Sequence, residues 1–303
     1  MVTIIIPNYN YESFIASAID SVLNQSYKDW ECIIIDNGST DDSIKQIKNR
    51  IVNDSRFKLI ELMENLGVSA ARNIGLKNAK HNFIQFLDAD DTIHPNKLND
   101  QLQVLNKDIS ITLVFGPYET MDAINKSRSD LIQTFREDNW LKGQRLLNFL
   151  LRGNRIVISA PLFRKNQSLY FDEAIAYNED WLFWINLAVG QTVFFYLQAD
   201  YATTSILKHD SNSSSNLLKM NVWQLNILSF LIVDSRKKVN FSATYFFIRT
   251  QLIQLINSIL DRKFYSYLSA MVSFVTRHTI FVLLLEVTLV ISFIYLVCLL
   301  SSK

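Results

Sequence analysis

A chain of 303 residues with 49% hydrophobic and 12% aromatic side chains has material for one large domain or two smaller ones, which excludes an intrinsically disordered protein. Its 30 basic and 29 acidic residues nearly cancel, so no overall field recruits nucleic acid. Two cysteines, Cys32 and Cys298, stand far apart in unlike surroundings; they support neither a disulfide framework nor a zinc site, and they fit a reducing, cytoplasmic compartment.

The N-terminal "VTIII" is too short an apolar run before Pro7, and lacks the basic flank, to be a signal peptide; it reads as a strand. Similar runs follow at Trp30 to Ile35, Phe57 to Leu62, Phe83 to Leu87 and Ile111 to Phe115. With Val2 to Ile6 they have the nearly continuous apolar character of strands covered on both faces. Amphipathic stretches alternate with them near Ser13 to Asn24, Asp41 to Val52, Val68 to Ala79 and Pro95 to Asn106, the second preceded by Ser39 and Thr40 as candidate N-caps. This alternation predicts an α/β fold with a mainly parallel sheet flanked by helices, in which ligands sit outside the carboxyl ends of the strands. Three polar loops fall there: "PNYN", "DNGST" and "DADD".

Past Tyr118 the pattern is less regular, with a helix at "DWLFWINLAV", an apolar strand at "TVFFYLQ" and a loop at Asp210 to Asn216. Residues 216–278 read as a helical region. The run from Thr279 to Leu300 carries only one charge, Glu286, and as a helix is long enough to cross a hydrocarbon core of about 30 Å. A membrane helix is the first reading; an apolar helix buried in a homo-oligomer or a segment lying in the interface is the alternative, kept open by the cost of a lone mid-membrane carboxylate. Arg262, Lys263 and Arg277 precede the run and only Lys303 follows it, so the positive-inside rule leaves everything before it on the cytoplasmic side.

The sharpest local feature is "QFLDADDTIHP", where an apolar strand ends in Asp88, Asp90 and Asp91. Two like charges about 4 Å apart repel by roughly 4 kcal/mol at an effective dielectric near 20, so the loop is either well solvated or holds a cation. For Asp91 a plain role, capping the next helix, is equally open.

Taken in order, "VTIIIPNYN", "IIIDNGSTDDS", "NLGVSAARNIGL", "FLDADD" and "NEDWLFWINLA" resemble glycosyltransferase family 2 over roughly Val2 to Ser215. The resemblance implies a GT-A fold, a Rossmann-like nucleotide-binding sheet, and transfer of a sugar from a nucleotide-diphosphate donor to an acceptor hydroxyl with inversion. Asp88 and Asp90 match the family's DxD motif, the first facing the ribose and the second binding Mn2+ or Mg2+. His209, in "LKHDSNSS", resembles the downstream His that completes the metal shell, which would tilt the preference toward Mn2+. Pro7 and Tyr9 match the donor side, the tyrosine lying against the nucleobase. Asn37 stands where the family commonly has an Asp reading the uracil, and its amide can both accept and donate, so the base is less certain; Asp36 is left to orient the loop. Arg72 and Asn73 match positions lining the donor pocket. Asp180, in "NEDW", matches the general base that takes the acceptor proton, with Glu179 tuning it or touching acceptor. Trp181 and Trp184 could offer an acceptor platform, although a helix this apolar should bury at least one of them. Where the family frequently has an Arg, this chain has Asn186.

The implied organisation is a catalytic domain over 1–215, with a nucleotide-sugar-binding half 1–115 and an acceptor-binding half 116–215, then the helical region 216–278 and the apolar helix 279–300. The implied activity is metal-dependent inverting transfer from a UDP-linked donor to a saccharide or lipid-linked saccharide at the cytoplasmic face of the inner membrane in surface-polysaccharide assembly. The alternative is a non-catalytic membrane-associated subunit that binds nucleotide sugar or glycan.

Overall fold

The computed structural model describes residues 1–135, 139–189 and 192–209, together with positions 220, 224 and 227. All of these belong to one unit, Met1–Ile248. The loop Asp210 to Asn216, nearly all of the helical region 216–278, and the apolar run Thr279 to Leu300 lie outside the described residues. Among the described residues no helix is long and apolar enough to cross a membrane.

The first half alternates as its apolar periodicity predicts. In order come β1 (Val2–Asn8), α1 (Ile15–Leu23), β2 (Trp30–Asp36), α2 (Ser43–Ile51), β3 (Phe57–Glu61), α3 (Val68–Asn78), β4 (Phe83–Phe86), the short β5 (Thr92–Ile93), α4 (Lys97–Lys107) and β6 (Ile111–Phe115). The rest supplies β7 (Tyr118–Asp122), β8 (Trp140–Lys142), α5 (Gly143–Leu150), β9 (Leu162–Arg164), α6 (Glu179–Ala188), β10 (Val193–Tyr196) and β11 (Thr204–Lys208). One 8-stranded sheet runs β3-β2-β1-β4-β9-β6-β10-β8, and a 3-stranded sheet runs β5-β11-β7. In the large sheet β1 lies parallel to both β2 and β4, and β6 parallel to β10. The short β9 enters antiparallel between β4 and β6. Strands contributed after residue 116 thus complete the sheet begun before it.

Packing explains the placement of α3. Every residue of β1 is buried, and Ala70, Ala71 and Gly75 give α3 a smooth face that lies close to it. A Cβ on Gly75 would fall 2.4 Å from Ile5 Cγ2, so only glycine permits this approach. Ile5, Ile33 and Ile35 meet Ala71 and Leu76 in one core cluster, each large aliphatic side chain contributing about 1.5–3 kcal/mol by leaving water. Close approach has a consequence for function: it brings Arg72 and Asn73, both polar and both buried, to the carboxyl edge of the sheet.

Two local expectations are corrected. Ser39 and Thr40 do not cap α2; Asp42 is the N-cap residue and makes no side-chain cap bond. The Ser39 hydroxyl instead donates to Asp36 Oδ1 at 2.7 Å and accepts from the Asn10 amide at 3.0 Å, because the loop turns back toward β1 before the helix begins. Asp91 does not cap the next helix either: α4 begins at Lys97, and Asp91 turns inward.

Candidate active site

The carboxyl ends of β1, β2 and β4 bring the three polar loops together. Asn8 donates to Asp36 at 2.8 Å, and Asp36, fully buried, also accepts from the Ser39 amide at 3.0 Å, so Asp36 does orient its loop. Pro7 is buried within β1, whereas Tyr9 just beyond it is exposed on the rim. Asn37 is buried: its amide nitrogen donates to Asn65 at 2.8 Å and its oxygen accepts from the Leu66 amide at 3.0 Å. Through these bonds Asn37 ties the "DNGST" loop to the segment that leads into α3.

At the end of β4, ligand oxygens of Asp88, Asp90 and Asp91 all lie within 4.8 Å of one another. Asp91 has both oxygens engaged, by the Ser159 hydroxyl at 2.7 Å and the Leu207 amide at 3.3 Å. Burial, then repulsion from Asp90 and Asp88, pushes its carboxyl well above the usual range. Its place is structural, pinning the loop to β11. Asp90 meets His209 Nε2 at 2.9 Å, with both side chains nearly buried. Burial and the neighbouring Asp88 raise its carboxyl, and the hydrogen bond to His209 pulls it part of the way back. His209 is held by Phe14, stacked on its ring at 4.8 Å, and by the edge of Tyr11 at 5.9 Å. Burial, then Asp90 and Asp88, raises the Tyr11 hydroxyl too. Concentrated, desolvated negative charge on hard oxygen donors is the donor set that suits a cation such as Mn2+ or Mg2+, and Asp88 and Asp90 fit it better than the fully engaged Asp91.

Arg72 reaches this cluster from α3. Its guanidinium donates to Asp88 Oδ1 at 2.7 Å and to Glu179 Oε1 at 2.7 Å. Burial opposes its charge, but Asp88 and Glu179 outweigh that and hold it firmly protonated. The same helix places Asn73 against the Phe171 backbone, accepting from its amide at 2.8 Å. Glu179 opens α6, after Asn178 in the left-handed region at φ 60. Asn178 donates to the Met220 carbonyl at 3.1 Å, which fixes the start of the helix.

Next to Glu179 stands Asp180, which receives the Asn154 amide on both carboxylate oxygens at 2.9 Å and the Trp181 amide at 2.8 Å. Burial and the neighbouring Glu179 push its carboxyl up to about 7, while Asn154 and Arg72 restrain the rise. A carboxyl so poised is ionised enough near neutrality to take a proton and basic enough to do it well. Trp181 and Trp184 are both fully buried, their indole nitrogens donating to the carbonyls of Leu150 and Ile156 at 2.7 and 3.1 Å; neither offers a platform for an acceptor. Nothing local in the sequence marks Asn154, an asparagine that meets an aspartate across the fold.

This geometry, carboxylates at the end of one strand joined through a guanidinium to Glu179 on a distant helix, with the poised Asp180 carboxyl beside it, suits group transfer on a GT-A-like α/β fold. The family model for Glycosyl transferase family 2 matches residues 3–169, and the chain belongs to that family; it is a glycosyltransferase. An uncharacterized glycosyltransferase of Haemophilus influenzae is 34% identical over 230 residues, 75% of this chain and 87% of the relative. The UDP-Glc:alpha-D-GlcNAc-diphosphoundecaprenol beta-1,3-glucosyltransferase WfgD of Escherichia coli is 27% identical over 246 residues, 81% of this chain and 92% of the relative. Among solved structures, Staphylococcus aureus TarS 1-349 in complex with UDP-GlcNAc superposes with a TM-score of 0.64 at 20% identity, over 84% of this chain and 72% of that one. The mannosyltransferase PcManGT of Pyrobaculum calidifontis, in complex with GDP-Man and Mn2+, gives 0.59 at 16% identity, over 92% and 81%. These two likenesses speak for the fold.

Proposed function

We propose that this enzyme moves a sugar from a UDP-linked donor to a hydroxyl of a lipid-linked saccharide, with inversion, at the cytoplasmic face of the inner membrane during surface-polysaccharide assembly. The observation that carries the reading is the Arg72 bridge, which sets the Asp88 and Asp90 loop one guanidinium away from Glu179 and its neighbour Asp180. Donor and acceptor chemistry then meet across a single side chain. Support for the acceptor comes from WfgD, whose own substrate is a sugar on diphosphoundecaprenol. The membrane location is supported by the apolar run Thr279 to Leu300.

In this reaction the acceptor oxygen attacks the anomeric carbon as its proton passes to the Asp180 carboxylate. The bond between that carbon and the diphosphate oxygen breaks, its electron pair leaving with the nucleoside diphosphate. Asp88 and Asp90, with His209 beside them, would hold a Mn2+ or Mg2+ ion, which when bound supplies neutralising charge to the leaving diphosphate. Tyr9, exposed on the rim, would lie against the base, and Arg72 orients Asp88 while restraining Asp180. Asn154 aims the Asp180 carboxylate.

The deciding experiment is release of nucleoside diphosphate from a panel of nucleotide sugars by the detergent-extracted protein, with Mn2+, with Mg2+ and with chelator. Metal-dependent release from a UDP-sugar, accelerated by a lipid-linked saccharide, is the expected result. Release that ignores the chelator, or preference for another nucleotide, would overturn the corresponding part of the reading.

A further inference from the structure

Lys97 opens α4 and is fully buried, yet its side-chain partners among the described residues are two amides rather than a carboxylate. For stability alone an apolar side chain of similar size would serve as well. What the lysine supplies is direction, because it donates. Lys97 Nζ donates to Gln85 Oε1 and, at 2.8 Å, to Gln101 Oε1. Burial pushes its ammonium group well below the usual lysine range, but even the neutral amine keeps two hydrogens, one for each amide. Both amides are thereby turned with their nitrogens toward the backbone that leads into β9. Gln85 donates to the Ser159 carbonyl at 2.9 Å, and Gln101 to the Ala160 carbonyl at 3.0 Å.

Ser159, itself fully buried, is where the acidic loop and β11 meet. Its hydroxyl accepts from the Asp88 amide at 3.1 Å and donates to Asp91 at 2.7 Å, while the Asp91 amide donates to the Asp88 carbonyl at 3.1 Å. The turn that carries Asp90 is thus tied at both ends to one hydroxyl. The Ser159 carbonyl also accepts from the Thr204 hydroxyl at 3.0 Å, at the first residue of β11, the strand that His209 directly follows. Asp90 and His209, 2.9 Å apart, therefore take their positions from the same residue.

We propose that the buried column of Lys97, Gln85 and Ser159 sets the gap between Asp90 and His209, so that Lys97 and Ser159 are positioning residues for the cation although neither belongs to its donor set. Groups behind a metal's ligands fix how those ligands point, and their loss weakens metal binding by about tenfold to a hundredfold. The inference rests on the cation site proposed above.

The test measures the Kd of Mn2+ for the full chain in detergent, without donor, from the electron paramagnetic resonance of the free ion. Ser159→Ala and Lys97→Met should each weaken Mn2+ by about tenfold to a hundredfold. Because the two act in series through Gln85, the double variant should lose little more than the weaker-binding single variant, whereas independent sites would add. Ile47→Ala, on α2 and outside the column, opens a cavity in the core and reports lost stability by itself; its Kd should match wild type. An unchanged Kd in either single variant, or additive losses in the double variant, would overturn the column while leaving the cation site in place. The same holds if Ile47→Ala weakens Mn2+ as much as Ser159→Ala does, since general loosening would then explain both. A wild-type chain that binds no Mn2+ would remove the cation site and the role of the column together.

Discussion

Glu179 accepts a guanidinium nitrogen of Arg72 at 2.7 Å across 107 residues of sequence, and this contact joins the buried face of α3 to the first turn of α6. Removing one partner of a buried ion pair strands the other charge, at about 3–5 kcal/mol. Arg72→Gln should therefore unfold at markedly lower urea concentration than wild type. Because Arg72 restrains the rise of the Asp180 carboxyl, the substitution should also move the pH profile of transfer to higher pH. An unchanged profile would show that the guanidinium does not act on the base.

The Asp180 carboxyl, raised to about 7, works as a base only when ionised. The rate at limiting substrate should consequently climb with pH and level off above about 7. Asp180→Asn should flatten that profile and slow transfer by about 100-fold to 10,000-fold while donor binding, followed by calorimetry, stays close to wild type. Substantial transfer by this variant would assign the proton to another group.

For the acidic cluster the readout is thermal. A cation that binds the folded state alone raises its stability by about 2.7 kcal/mol at a hundredfold excess over its Kd. Mn2+ should thus raise Tm in wild type, and Asp90→Asn should lose most of the shift. The bare variant should itself be no less stable than the metal-free wild type, since Asp90 is a carboxyl that burial and Asp88 already disfavour as an anion. Equal shifts in both proteins would place the ion elsewhere.

A steric prediction concerns α3 alone. Gly75→Ala drives a Cβ to 2.4 Å from Ile5 Cγ2, and overpacking of this kind costs roughly 1–3 kcal/mol. Denaturant titration should show that loss, and a lower Asp180-dependent rate should accompany it as Arg72 is displaced with its helix. A neutral result would mean that β1 yields more readily than its complete burial implies.

Much of this was legible in the sequence, for identifiable reasons. Five of the six strands of the first half begin where the apolar runs begin, the exception being the two-residue Thr92–Ile93, and Ile111–Phe115 coincides with its run at both ends. Continuous apolar runs are the signature of a sheet covered on two faces, so periodicity sufficed. Asp88, Asp90 and Asp180 stand in recognisable local patterns, and the fold brings Arg72 onto Asp88 and onto Glu179, the neighbour of Asp180. What the sequence withheld are long-range matters: the three-residue β9, too short to carry a period; the inward turn of Asp91 onto Ser159; and Asn154 beneath Asp180. Trp181 and Trp184 illustrate the same limit, since a helix apolar on every side gives no face to expose.

The antiparallel β9 has a further meaning for how such an enzyme comes into being. Until Leu162–Arg164 slides between β4 and β6, both strands present bare hydrogen-bonding edges, and those edges recruit other chains. A ribosome that has delivered only the first 115 residues has therefore made a sticky intermediate, not a finished module. Exchanging the later residues between relatives to alter what is glycosylated would have to carry β9 and its register along with the loops, or the graft would aggregate before it could be assayed.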